Sequence, residues 1–561
     1  MFDLLIRQAL VLDGHGGAPW RGDLGVRGGR IAALAPQLPA DARTTVDADG
    51  LALMPGIIDS HTHYDAQLTW DPCTRPSPAL GVTTAVIGNC GFTIAPCRPA
   101  DRDLVMRNLT QVEGMSLDVL RAGVEWGFET FPEYLAQLQR RGSALNLAAF
   151  VGHSSLRTYV MGEAASQRAA TGDEIARMQA LVREAMAAGA LGLASSTSPA
   201  HNGAHGLPMP SRLAERQEFE ALVGAMGDAG KGVFMLTKGA ETPVPWLESL
   251  AALSGGPVMI AALLHNSTNP QAVFDDLENI RLANTRGRRL VGQVSPCPLT
   301  MEFTLASPYP VEGLACWQPL LAMDKAQLKA TLADASFRDR VRAELAQPSR
   351  FRLFNGEWQK VQVVQVARPE NAALEQRRLD ELAAEQGQHP LDVMLDLALA
   401  EDLQTVFTAQ LLNSDEEPVG RLLTHPHSLI TLSDAGAHLT FFNDAGFGLH
   451  LMGHWSRERG LMSLPEAVRR LTRQPAELLG LAGRGELAVG AAADLLLFDP
   501  ATVGRGPKQR VHDLPLGAPR LHTDAVGVHG VWVNGRQVAD AKGLRPNTPL
   551  AGELLRRFPP T

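Results

Sequence analysis

The feature that most constrains this chain is a rhythm. From about residue 56 to residue 434, short apolar runs alternate with longer segments of helical periodicity. Parallel strands buried on both faces read as nearly unbroken apolar runs, and helices between them make βα units. Eight such runs can be read, at 53–63, 83–90, 147–153, 190–196, 232–238, 258–265, 289–294 and 428–434. Val258-Met259-Ile260-Ala261-Ala262-Leu263-Leu264 is the clearest. Eight is the number that closes a barrel. The expected fold class is therefore α/β, a TIM-like (β/α)₈ barrel over residues 55–485.

Between strands, residues 173–188 carry Ile175, Met178, Leu181, Val182 and Ala185 at helical spacing, with Thr171 or Asp173 as the cap. An insertion at about 298–427 separates the seventh strand from the eighth, with helix-like stretches at 372–385 and 391–402. It is too long for a plain connection and is expected to cover the barrel mouth. The ends differ from the middle. Residues 1–54 and 486–561 read as strand pairs with tight turns, at Gly28-Gly29 and at Asn534-Gly535. Each is too short for a core of its own, so the two are expected to pair into one small β-sandwich beside the barrel.

Composition excludes several roles. With 45% hydrophobic and 20% charged residues the chain is an ordinary folded protein, and a net charge of -9 offers no surface for phosphate backbones. Nucleic acid is not an expected partner. Nor is a membrane, since no apolar run is long enough to span one. The N-terminus lacks a basic stretch followed by an apolar core. The five cysteines, Cys73, Cys90, Cys97, Cys297 and Cys316, form no CxxC pair. A reducing cytoplasm is the expected location, and the expected partners are a small-molecule substrate and, at most, further copies of the chain in a homo-oligomer.

The chemistry sits at strand ends. In Pro55-Gly56-Ile57-Ile58-Asp59-Ser60-His61-Thr62-His63, residues i and i+2 share a face. His61 and His63 should thus point together into the C-terminal mouth, where barrel active sites form. Strand two ends at Cys90, strand six at His265 and strand eight at Asp434. Singly, each has an ordinary structural explanation: buried thiol, hydrogen-bonded core histidine, helix cap. Jointly, at four strand ends, imidazole, thiolate and carboxylate make the donor set of a metal site. His153 closes strand three and can orient a ligand or the substrate. His201 and His205, in the glycine-containing loop after strand four, are within reach of the metal, but their spacing suits a ligand pair mainly on a helix, and the preferred reading is a solvated loop.

These motifs resemble the amidohydrolase superfamily and, within it, the N-acyl-D-amino-acid deacylases. The resemblance rests on His61-Thr62-His63-Tyr64-Asp65, on Gly88-Asn89-Cys90-Gly91 with Ala95-Pro96, and on Val151-Gly152-His153-Ser154-Ser155-Leu156-Arg157. It also rests on Ser433-Asp434-Ala435-Gly436-Ala437-His438 and on Gly490-Ala491-Ala492-Ala493-Asp494. It implies that His61, His63, Cys90, His265 and Asp434 hold one or two divalent ions, with zinc expected. It implies further that Asp434 doubles as general base in hydrolysis of the amide C–N bond of an N-acyl amino acid.

The chain also departs from the family. Thr237 stands where a strand-five histidine ligand is expected, and Ser267 where a lysine binds the substrate carboxylate. Ala194-Ser195-Ser196-Thr197 lacks the usual strand-four tyrosine. A relocated cation would be Arg157, Lys238 or, more distantly, Arg457. The competing readings are a cyclic amide, N-formyl, lactone or carbamate hydrolase of the same superfamily and, below these, a non-catalytic binding barrel.

Overall fold

A computed structural model describes residues 1–39, 41–347 and 352–559. Its central element is an eight-stranded parallel sheet: β1 (Ile57–Asp59), β2 (Val82–Ile87), β3 (Asn146–Gly152), β4 (Gly192–Ser196), β5 (Val233–Thr237), β6 (Val258–Ala261), β7 (Leu290–Val294) and β8 (Ser428–Ile430). The strands pair in sequence order from β1 to β8, as successive right-handed crossovers require. The ring closes above β1 and β8, where Thr62–His63 pairs in parallel with Ala435–Gly436. Asp434 N donates to the His61 carbonyl at 3.2 Å beside that pair. Closure therefore runs through the residues expected to do chemistry.

Between β3 and β4 the helix Gly172–Ala188 starts at a capping box of Thr171 and Glu174, and buries Met178, Val182, Ala185 and Met186. The stripe that predicts it is the face that packs on the sheet.

Both chain ends build one nine-stranded sheet around a cluster that includes Leu4, Ile6, Leu24, Val26, Leu495 and Trp532. Ala52–Pro55 lies between Phe2–Val11 and Leu495–Phe498 and joins the two ends edge to edge, and the sheet curls so that the Gly28-Gly29 hairpin meets the C-terminal strands, with Arg30 bridging Ala492 and Ala493 N–H donating to the Gly29 carbonyl. Asp494 ties this sheet to the barrel. It accepts from the Asn534 backbone at 2.8 Å and from Asn146 of β3 at 3.0 Å, and pairs with Arg484.

The insertion has a core of its own, with Phe303, Trp317, Phe337, Val363, Leu395 and Phe407 among its buried residues. Three antiparallel strands, Leu299–Phe303, Val361–Gln365 and Val406–Leu412, carry helices that include Leu379–Gln386 and Pro390–Ala400. The helix expected from 372 begins only at Leu379. Residues Pro369–Leu374 form a single tight turn instead, and Gln376 takes a left-handed φ of 65° that ends it.

No helix among the described residues is long and apolar enough to cross a membrane. All five cysteines are free thiols.

Candidate metal centre and substrate cavity

A cavity of about 230 Å³ opens at the C-terminal mouth of the barrel. His61, His63, Cys90, Thr237, Lys238 and Asp434 line its floor, and Leu299, Met301, Tyr309, Leu353 and Leu412 of the insertion form an apolar wall.

The local backbone explains how the floor is assembled. Asp59 accepts from the His61 backbone N–H at 3.3 Å, which fixes the turn out of β1. Cys90 has φ 58° and Asp434 φ 48°, both left-handed, where non-glycine residues are strained. Gly436, at φ 112°, follows close behind, and a Cβ there would come within 2.4 Å of the His63 carbonyl oxygen. The strain aims a thiol and a carboxylate inward from two strands that end beside β1.

The donors then converge. Asp434 Oδ1 lies 3.2 Å from His61 Nε2 and 3.3 Å from His63 Nε2. Cys90 Sγ lies 3.5 Å from His61 Nε2. His61, His63 and Cys90 present ligand atoms all within 4.8 Å of one another, as do His63, Asp434 and His438. Behind them, Gln293 Oε1 of β7 holds His61 Nδ1 at 2.9 Å, and Glu113 Oε1 lies 3.1 Å from His63 Nδ1. A second partner of this kind is what sets the tautomer and aim of a ligating imidazole.

Charge is concentrated here as well. Burial pushes the Cys90 thiol up, but the charge and hydrogen bond of His61, with His63 behind it, outweigh burial and bring it to about 7. Burial likewise raises Asp434, yet His61, His63 and His438 hold it far below the usual carboxylate range. The residues suit a divalent ion on two counts. Two imidazoles, a readily ionised thiol and a carboxylate are zinc donors by chemistry. Both ring nitrogens of His63 are buried without a directed hydrogen bond, although a carboxylate oxygen lies near each.

The structure leaves other expected residues outside this group. His265 lies beyond the end of β6, where its backbone N–H and carbonyl are both bonded to Asn413 of the insertion. Its ring is neither in the donor cluster nor on the cavity wall. The physical reason is length: β6 stops at Ala261, so strand alternation does not carry to residue 265. Thr237, at the end of β5, lies 3.1 Å from Cys90 Sγ through its hydroxyl. His153 is sealed between Ser195 Oγ and Glu218 Oε1, both at 2.8 Å. Arg157 is fully buried against Glu218 and the carbonyls of Ala165 and Arg168, with no path to substrate. Ser267 donates to Glu357 at 2.7 Å, away from the cavity. Arg457 is bound to the Val503 carbonyl and Glu458.

Lys238 does line the cavity. Alternation within a strand would turn it away from Thr237, but β5 ends at Thr237, so strand alternation does not govern Lys238. Its Nζ donates to Asp276 at 2.6 Å.

Three residues escape sequence reasoning. Glu113 follows the helix Arg102–Val112 with no motif to flag it. His438 stands in the strand-eight motif without an assigned role, and its ring meets that of His63 edge-on at 4.6 Å. His201 is no solvated loop residue: it lines the cavity, while His205 is exposed.

Residues 44–296 and 343–539 match the profile of the Amidohydrolase family. A D-aminoacylase of Alcaligenes xylosoxydans xylosoxydans is 32% identical over 99% of this chain and 98% of its own length. An N-acyl-D-aspartate deacylase of the same organism is 30% identical over 99% and 95%. Among solved structures, an N-acyl-D-glutamate deacylase from Bordetella bronchiseptica, complexed with zinc and a phosphonate inhibitor, superposes with TM-score 0.69. It is 26% identical and covers 99% of this chain and 100% of its own.

Proposed function

As a member of the Amidohydrolase family, the chain carries a fold built for hydrolysis, and we propose that it is a metal-dependent N-acyl-D-amino-acid deacylase. The observation that carries the reading is the convergence of His61, His63, Cys90 and Asp434 on one point of the cavity floor. These four residues would hold the ion. Glu113 and Gln293 would orient the two imidazoles from behind. A solved D-aminoacylase has a binuclear metal center in which one metal activates and a second attenuates, and the zinc-bound deacylase is a second relative of this kind. Here Thr237 and the withdrawn His265 leave the donors of a single ion best assembled, so the reading is one tight site.

When bound, such an ion makes water a usable nucleophile near neutral pH and polarises the scissile carbonyl. Asp434 stands where it can take a proton from the attacking water and return it to the departing nitrogen, which leaves poorly until protonated. The apolar wall from the insertion excludes water and accepts an apolar acyl group or side chain. Lys238 supplies the cation for the substrate carboxylate: an ammonium has three donors, and Asp276 engages one. The reading includes a cytoplasmic location, with five free thiols in its favour, and at most a homo-oligomer as assembly.

The test is a panel of N-acyl-D- and N-acyl-L-amino acids offered to chelator-stripped and zinc-reloaded protein. Hydrolysis of D-substrates only after reloading is expected. Equal rates without metal, or no turnover of any panel member by loaded protein, would sink the reading.

A further inference from the structure

We infer that His201, on the loop after β4, is a catalytic residue that donates a hydrogen bond from Nε2 to the carbonyl oxygen of the scissile amide as that oxygen gains charge. The inference rests on the hydrolysis proposed above and adds a residue to it.

Position comes first. His201 shares the cavity floor with His61, His63, Cys90 and Asp434. Its backbone is pinned on both sides: the N–H donates to Ser198 O at 3.1 Å, and the carbonyl accepts from Met209 N at 3.2 Å and from Arg212 at 3.1 Å. The ring lies edge-on to Phe92, with centroids 4.9 Å apart. Among the described residues only the Nδ1 side of the ring is hydrogen-bonded, 2.7 Å from Ser196 Oγ, and Nε2 is left for the cavity.

The serine decides which nitrogen carries the proton. Ser196 Oγ already accepts from the Ser198 N–H at 3.1 Å. It has one proton to give. The two acceptors in reach are His201 Nδ1 at 2.7 Å and the Thr237 carbonyl at 3.5 Å, and a hydroxyl bond at 3.5 Å is too long to compete. The hydroxyl therefore donates to Nδ1, which must be unprotonated. Burial, with the Arg212 guanidinium nearby, holds the imidazole well below its ordinary pKa, so the ring is neutral and its proton resides on Nε2. The cavity lining thus carries a preformed N–H donor without a partner among the described residues.

The chemistry gives that donor a use. The water oxygen bonds to the carbonyl carbon, the carbonyl π pair moves onto its oxygen, and the water proton passes to Asp434. The oxygen pair then re-forms the double bond as C–N breaks, and the nitrogen leaves with its bonding pair and the proton from Asp434. Negative charge sits on the oxygen only between these events, so a fixed donor there binds the transition state more strongly than the substrate. Loss of one such donor typically costs about a hundred- to a thousandfold in kcat.

Zinc-loaded His201→Ala should therefore lose about that factor in kcat, with KM within a few-fold and zinc content unchanged. His201→Gln, which retains an N–H donor, should recover part of the loss. Two readouts do not depend on turnover. In ¹⁵N-histidine-labelled protein, the His201 signal, assigned by its absence in His201→Ala, should show the Nε2-protonated tautomer, and Ser196→Ala should shift it toward the other. An N-acyl amino acid analogue with phosphorus at the reacting carbon should bind His201→Ala more weakly, by the factor lost in kcat/KM. An Nδ1-protonated ring, unchanged kcat in the alanine variant, or zinc lost together with activity would each overturn the assignment. If the unmodified protein hydrolyses no amide yet shows the Nε2–H tautomer and His201-dependent phosphonate binding, the donor assignment stands and the amide reading falls.

Discussion

The two sides of the barrel mouth are built differently. On the β1, β2 and β8 side, His61, His63, Cys90 and Asp434 converge within a few ångströms and are braced by Glu113 and Gln293. On the β5 and β6 side, Thr237 offers a hydroxyl, Lys238 is engaged by Asp276, and His265 and Ser267 are held by Asn413 and Glu357. The first side spends backbone strain, at Cys90 and Asp434, to aim donors. The second has become part of the seam between barrel and insertion. Under the proposed function, the contrast teaches that ion holding and substrate choice fall to different arcs of one rim.

Breaking the first side should cost most. Replacing His61 and His63 together by alanine is expected to remove most bound zinc and at least about a thousandfold of the rate, because two of four donors vanish while the barrel core is untouched. Metal analysis and circular dichroism on the same sample check this. Zinc retained at full stoichiometry would mean that the β5–β6 arc holds the ion after all.

Asp434→Asn comes next. The amide cannot accept the water proton, so turnover should fall by at least about a hundredfold while KM moves little. A near-normal rate would reduce Asp434 to a strained turn residue.

The second side is probed by charge. Lys238→Ala should raise KM for an N-acyl-D-amino acid by about tenfold, the scale of one charge-assisted hydrogen bond, and leave the carboxamide analogue nearly unaffected. Parallel shifts for both substrates would show that the Lys238–Asp276 pair holds the loop and does not read the carboxylate.

His265→Ala should change least, with zinc affinity and kcat within about twofold, since its ring lies off the cavity. A drop of tenfold or more in zinc affinity would erase the distinction between the two arcs.

Most of the architecture was legible because it depends on periodicity. Eight apolar runs fall on eight strands, the capping-box helix starts at Thr171, and Asn534-Gly535 turns a hairpin between Val528–Val533 and Arg536–Asp540. Those patterns are local, so they survive in one dimension. The donors His61 and His63 were legible for the same reason, being two residues apart on one strand.

The chain by itself determined which residue types stand at the strand ends, and hence that a barrel mouth rich in zinc donors would form. Only the tertiary structure decided which of them meet. His265 follows its strand in sequence but leaves it in space, because β6 stops at Ala261 and Asn413, about 150 residues away in sequence, pairs with the backbone at 265. Glu113, His438 and His201 join the site from a helix end and two loops, positions with no period to read. Where a loop side chain points is set by what packs around it: for His201 a serine at the end of β4 and a phenylalanine from the loop after β2.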